Sequence, residues 1–291
     1  MKKVFSILLI VYLGVLFVGC SNTSTNKSTS DSKSAQKKEV ILGMTTSIED
    51  SGLLDVIIPA FEEESGYKTK TVSVGTGQAL ALAEKGQVDA LLVNSPAAEK
   101  KVIDEGVIVN RKLIMHNDFV IVGPQSDKAK IKGTKDAVGA FATIAKTQSE
   151  FVSRSDDSGT NKLEKSLWSD ANIKPEGAWY IQAGAGMGQT LKISNEKQAY
   201  TLADRATYIN DKKILSLPIL VEGDKKLLNL YSVSEINPAK FSKANSEGAK
   251  AFSEFLLSEK GQKLIANYGK DKFGEALFYP DAGKSDKDYG I

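Results

Sequence analysis

The sequence predicts an α/β protein of two lobes arranged as a clamshell, the second lobe inserted into the first. Three observations predict it. From Glu39 onward, strand-like apolar runs alternate with segments of helical periodicity, the order expected of a largely parallel sheet. The first three such runs end in small, polar or glycine-bearing turns, Thr45-Thr46-Ser47, Gly75-Thr76-Gly77 and Asn94-Ser95-Pro96. Sheets of this kind place their ligand sites at the carboxyl ends of strands. Lastly, the apolar run 119–122 stops at Gly123-Pro124, as a crossover into a second lobe would. The expected division gives residues 39–118 and 212–291 to the first lobe and 119–211 to the second.

Residues 40–44 read as the first strand. In the helix that follows, Leu53, Leu54, Ile57, Ile58 and Phe61 fall on one face, and Ser65-Gly66 closes it. Residues 68–74 alternate polar and apolar as a strand does, and a short helix runs from the Gly75 turn through Lys85. A third strand spans 89–93. Beyond the crossover come a helix at 135–150, a strand into Ser153, a helix over 161–168 and a short strand at 179–181. The loop Gly184-Ala185-Gly186-Met187-Gly188 follows. The chain returns within 207–217, strands at 217–221 and 227–233 flank Gly223, and helices at 243–257 and 259–268 complete the fold. There is no internal repeat.

The N-terminus carries an address. Lys2 and Lys3 precede an uncharged apolar run over 4–18, the layout of a secretory signal and short for a membrane span. The run ends at Gly19-Cys20, which looks like a bacterial lipobox: 1–19 is the expected signal peptide, and Cys20 the lipidated first residue of an extracytoplasmic, membrane-anchored chain. Cys20 is the only cysteine, so its lipidation leaves no thiol for disulfides, thiolate catalysis or metal binding. Residues 20–38, nearly all Ser, Thr, Asn, Lys and Gln, form a solvated tether. The chain has 38 basic and 36 acidic residues; without Lys2 and Lys3 the balance is 36 to 36. A neutral protein is not built for nucleic acid or for steering anions from afar. Any anion affinity is local.

The segment 153–160, Ser-Arg-Ser-Asp-Asp-Ser-Gly-Thr, is suited to supply it. Hydroxyls, a glycine and one arginine converge where a helix begins, and the exposed N–H groups and dipole of a helix start favour negative charge. Arg154 adds a planar, permanently charged fork. The same residues also suit an ordinary helix cap. Thr45-Thr46-Ser47 and Gly75-Thr76-Gly77 are open to the same two readings, as anion donors from the opposite lobe or as caps and tight turns.

Other constellations are less telling. Gly184, Gly186 and Gly188 do not have dinucleotide-binding spacing and are read as a loop. Asp156 and Asp157 are read as capping or orienting Arg154, and Arg205 as a structural ion pair or a second anion ligand. His116 is the only histidine, so nucleophilic triads and His-rich zinc sites have no support. Trp168, Trp179 and Tyr180 read as core or as a cleft wall.

Taken together, Thr45-Thr46-Ser47, Asp50-Ser51-Gly52-Leu53-Leu54-Asp55, Val74-Gly75-Thr76-Gly77-Gln78, the stretch 117–124, the segment 153–160 and Tyr200-Thr201-Leu202-Ala203-Asp204-Arg205 resemble the tungstate-binding proteins of bacterial tungstate ABC importers. The resemblance spans the mature domain. It implies a periplasmic-binding-protein type II fold, a monomer that captures tungstate, sometimes molybdate, and delivery to a membrane permease driven by an ATPase. The ligand residues it implies are Thr45, Thr46, Ser47 and Thr76 from one lobe, with Ser153, Arg154, Ser158, Gly159 and Thr160 from the other. No cofactor, resident metal or catalytic residue is implied. Two departures stand out: Met44 replaces a threonine of the family turn, and Ser155 a glycine of the arginine segment. A shell without hydrogen-bond acceptors is expected to reject phosphate. The alternatives are a phosphate-binding lipoprotein, with Asp156 or Asp157 accepting the phosphate proton, and a secreted phosphate- or sulfate-ester hydrolase.

Overall fold

The computed structural model describes residues 39–290. The signal, the lipobox with Cys20 and the tether fall outside these residues. In chain order the elements are β1 (Glu39–Thr45), α1 (Thr46–Ser51), α2 (Leu54–Ser65), β2 (Lys68–Val74), α3 (Thr76–Glu84), β3 (Ala90–Val93), α4 (Pro96–Asp104) and β4 (Ile108–Val122). Next are α5 (Ala137–Lys146), β5 (Phe151–Ser153), α6 (Gly159–Asp170), β6 (Tyr180–Gln182), α7 (Met187–Lys197), β7 (Thr201–Asp204) and α8 (Arg205–Asp211). The chain closes with β8 (Ile219–Val221), β9 (Leu228–Ile236), α9 (Ser246–Leu257), α10 (Glu259–Asn267), α11 (Lys270–Phe273) and β10 (Tyr279–Pro280).

The main sheet runs β10-β4-β9-β3-β1-β2, and β7 and β8 also pair with β4. β1 lies parallel to both β2 and β3, so their three carboxyl-terminal turns share one edge of the sheet. β9 is antiparallel to β3 and to the first part of β4, whereas the last four residues of β4 pair with β7. A separate parallel pair, β5 with β6, leads into the arginine segment. One apolar cluster packs α2 and α9 against the central strands through Leu42, Phe61, Tyr231 and Phe252. A second, drawn only from residues between Phe119 and Leu227, centres on Phe141, Phe151, Trp168 and Tyr200. Trp168 belongs to it, and Trp179 packs against it.

The sequence reading differs from the structure in a few elements. The apolar run 119–122 is only the end of the 15-residue β4, whose earlier part is masked in the sequence by Asn110-Arg111-Lys112. Helices α4, α7 and α8 escaped the periodicity reading; Met187 and Gly188, taken as loop, are the first residues of α7. Met44 is buried in the first apolar cluster, while Thr45 next to it leaves the strand on the other face. The methionine therefore fills core volume on the face opposite to that of the Thr45 hydroxyl. Ser155 adopts φ +47, the left-handed conformation for which glycine is the easy residue.

Candidate anion-binding site

The turns after β1, β2 and β3 and the loop between β5 and α6 meet at one place. Gly77 N–H donates to the Asp157 carbonyl at 3.1 Å, and Gly159 lies so close to Asn94 that a Cβ there would strike the Asn94 side chain. Arg154 ties the corners together. Its Nη2 donates to Thr46 Oγ1 at 2.8 Å and to Asp156 Oδ2 at 2.5 Å, and its Nη1 donates to Thr160 Oγ1 at 3.2 Å. The side chain is only 1 % exposed, so this charge is held out of water by neutralisation from Asp156 and by aimed hydroxyls.

The hydrogen-bond directions sort the expected ligands by whether a proton is free. Thr46 and Thr160 accept from Arg154, which leaves each hydroxyl hydrogen available. Thr45 Oγ1 and Arg154 Nε are buried with no partner among the described residues. Ser47 shares a 3.3 Å contact with the Tyr231 hydroxyl, which also accepts from Asn229 Nδ2 at 2.8 Å. Burial pushes the Tyr231 phenol far up, so it stays protonated and able to donate to Ser47. Thr45, Thr46, Ser47, Arg154 and Thr160 thus make up a candidate ring of donors.

The other expected ligands are engaged elsewhere. Ser153 Oγ donates to Glu164 at 2.7 Å while accepting from Ser155 N–H at 3.2 Å. Ser158 Oγ donates to Asp156 at 2.6 Å and caps α6 by accepting from Asn161 N–H at 3.2 Å. Thr76 Oγ1 donates to Asn94 Oδ1 at 2.9 Å. Their hydroxyls hold the loops in shape. Gly159 opens α6 and contributes backbone alone.

The acids follow the same logic. Asp156 accepts from Arg154, Ser158 N–H and Ser158 Oγ, and Asp157 pairs with Lys162 at 2.5 Å, so both carboxylates have donors of their own. Glu164 receives Ser153, Asn161, Trp168 and Tyr180, and burial raises its pKa despite those bonds. Asp204, fully buried at the end of β7, caps α8 by accepting from Thr207 N–H at 2.9 Å, and burial pushes it up to about 6. Its Oδ2 has no partner among the described residues. Arg205, a possible second anion ligand in the sequence, is held by both oxygens of Asp118 at 2.6 and 2.7 Å and by Glu222 at 2.6 Å. His116 bonds Asp281 at 2.8 Å and Tyr289 at 3.0 Å.

Asn94, Asn117, Asn229, Tyr231, Glu164 and Asp204 support or border the ring and were not singled out in the sequence. Asn94 lay in the turn after the third strand, and Asn117 and Asp204 in segments of the family resemblance, so these three had a signal there. Among the described residues no group of His, Cys, Asp or Glu is arranged to hold a metal ion, and no helix is long and apolar enough to cross a membrane.

Residues 24–260 match the family model of the PBP superfamily domain, the class that this fold and interstrand cleft define. The tungstate-binding protein TupA of Peptoclostridium acidaminophilum is 46 % identical over 287 residues, covering 98 % of this chain and 100 % of the relative. TupA of Campylobacter jejuni is 40 % identical over 83 % of this chain and 90 % of its own. Among solved structures, the tungstate ABC transporter protein of Geobacter sulfurreducens superposes with a TM-score of 0.72 at 41 % identity, over 79 % of this chain and 98 % of that one. TupA of Desulfovibrio alaskensis G20 gives 0.70 at 42 %, over 84 % and 99 %. The chain belongs to the TupA family of tungstate-binding proteins.

Proposed function

We propose that this protein is the solute-binding component of a tungstate importer of the ABC class, capturing tungstate, with molybdate as a second ligand, and handing it to a permease driven by an ATPase. The observation that carries the reading is Arg154: a guanidinium almost wholly removed from water, aimed at hydroxyls from two distant parts of the chain, with its own Nε free. Asp156 neutralises the charge, and the buried Nε left without an acceptor is the donor that a bound anion completes.

In this reading residues 39–118 with 212–291 form one lobe and 119–211 the other. Thr45, Thr46 and Ser47 close on the anion from the first; Arg154 and Thr160 close from the second. Ser153, Ser158, Gly159 and Thr76 shape the walls. Charge-assisted hydrogen bonds contribute about 1.5–3 kcal/mol each, so the ring supports nanomolar binding, about −12 kcal/mol, after the cost of closure. Tungstate is fully deprotonated at neutral pH and matches a ring of donors. The protein binds and releases its ligand without chemistry; its one histidine is engaged with Asp281 and Tyr289. A lipid on Cys20 after removal of the signal 1–19 anchors the monomer outside the cytoplasm.

Calorimetric titration with tungstate, molybdate, sulfate and phosphate tests the reading. Arg154→Ala removes at least two charged bonds, about 3–6 kcal/mol, and should weaken tungstate about a hundredfold or more. Phosphate binding tighter than tungstate, or an Arg154→Ala variant that binds like wild type, overturns it.

A further inference from the structure

Next to the hydroxyl turn, at the end of β7, the carboxyl of Asp204 keeps one oxygen without a partner among the described residues. Asp204 is completely buried; Oδ1 is occupied by the Thr207 N–H, and Oδ2 has no partner among the described residues. The helix it caps, α8, packs on α1, and Thr207 Oγ1 reaches the Ser47 carbonyl at 3.4 Å, so the carboxyl stands beside the hydroxyl turn. The charged and titratable groups acting on it come from three elements: Arg154 from the loop before α6, Asp50 from α1 and Tyr231 from β9. Arg154 favours its ionised form, but Arg154 is already tied to Asp156. An ionised Oδ2 and an oxyanion oxygen are both acceptors, and two acceptors side by side repel unless a proton lies between them.

We propose that Asp204 is a further ligand-binding residue of the site, whose Oδ2 shares one proton with an oxygen of the bound anion, the proton being drawn from solvent when the anion arrives fully deprotonated. The inference rests on the anion-binding reading above and deepens it. The balance is simple: one dianion and one proton enter together, Asp204 goes from carboxylate to carboxylic acid, and its O–H joins the donors around the ligand. The site thus carries one negative charge fewer when filled than Arg154, Asp156, Asp204 and a dianion would otherwise sum to. Hydrogen phosphate would bring the same proton itself.

Burial already brings the carboxyl of the free protein up to about 6, and an adjacent dianion raises it further. The bound state therefore holds the proton to higher pH than the free state. Tungstate affinity is greatest below about pH 6 and falls by up to tenfold per pH unit above it, about 50-fold between pH 6 and pH 8. Asn at 204 can still cap α8 through its Oδ1 while presenting N–H donors on the other side.

The experiment is calorimetric titration of wild type, Asp204→Asn and Asp50→Asn with sodium tungstate at pH 6, 7 and 8. At pH 8 it is repeated in two buffers of different ionisation enthalpy to count protons. The expected result is uptake of about one proton by wild type at pH 8, a steep loss of affinity with pH, a flat profile for Asp204→Asn, and a slope retained in Asp50→Asn. Tungstate binding by wild type with no proton uptake and a flat profile overturns the proposal and leaves the anion reading standing. A slope that survives Asp204→Asn but vanishes in Asp50→Asn also overturns it. Absence of tungstate binding by wild type at every pH overturns the anion reading itself.

Discussion

Replacing Gly75 by alanine tests whether the turn after β2 and the loop before α6 meet as two jaws. Gly75 has φ −58 and ψ 147, ordinary for any residue, so alanine adds no backbone strain. A Cβ there, however, would fall on the Asp156 carbonyl oxygen and within 3.3 Å of Ser158 N. The loop carrying Arg154's partner Asp156 would have to back away by several tenths of an ångström. Overpacking of this kind costs about 1–3 kcal/mol, which is about a 5- to 150-fold loss of affinity if the strain is felt only when the jaws close. The assay is tungstate titration beside thermal melting of the free protein. The expected pattern is a weakened ligand with an unchanged melting temperature. An unchanged Kd, or a melting temperature that falls by the full overpacking penalty while binding survives, would refute the two-jaw reasoning.

Two further perturbations address the loop and the frame. Ser155→Gly relieves a left-handed residue and should raise stability by about 1 kcal/mol in chemical denaturation, with tungstate affinity changed only slightly because the Ser153–Glu164 bond is kept. Arg111→Ala strips its partner from Glu99, which is fully buried and also bonded by Ser95 N–H and Ser232. It should cost about 3–5 kcal/mol in denaturant melts, and a second change, Glu99→Gln, should recover part of that loss.

The three turns at the ends of β1, β2 and β3 were legible because each is a local pattern of small and polar residues after an apolar run. Arg154 was legible for the same reason, whereas the glycine position filled by Ser155 was visible only through the family resemblance. What the sequence hid is pairwise. Ser153 and Ser158 look like anion donors until Glu164 and Asp156 are seen taking their protons. The register that sets Asn117 opposite Asn229 and Phe119 opposite Asp204 depends on long-range strand pairing, which no spacing along the chain encodes. The short helices α7 and α8 were overlooked because glycine and aspartate at their starts read as loop.

The chain of side-chain amides behind the hydroxyl turns has a sense of direction. Thr76 gives its hydrogen to Asn94, Asn94 to Asn229, and Asn229 to Asn117, so every carbonyl looks back the way the hydrogen came. Like a row of compass needles, the set can be reversed only as a whole, since turning one amide alone would bring oxygen against oxygen. Its orientation is therefore locked by its length, and a single Asn-to-Asp exchange anywhere along it would be felt at the Thr76 end, several residues away from the altered atom.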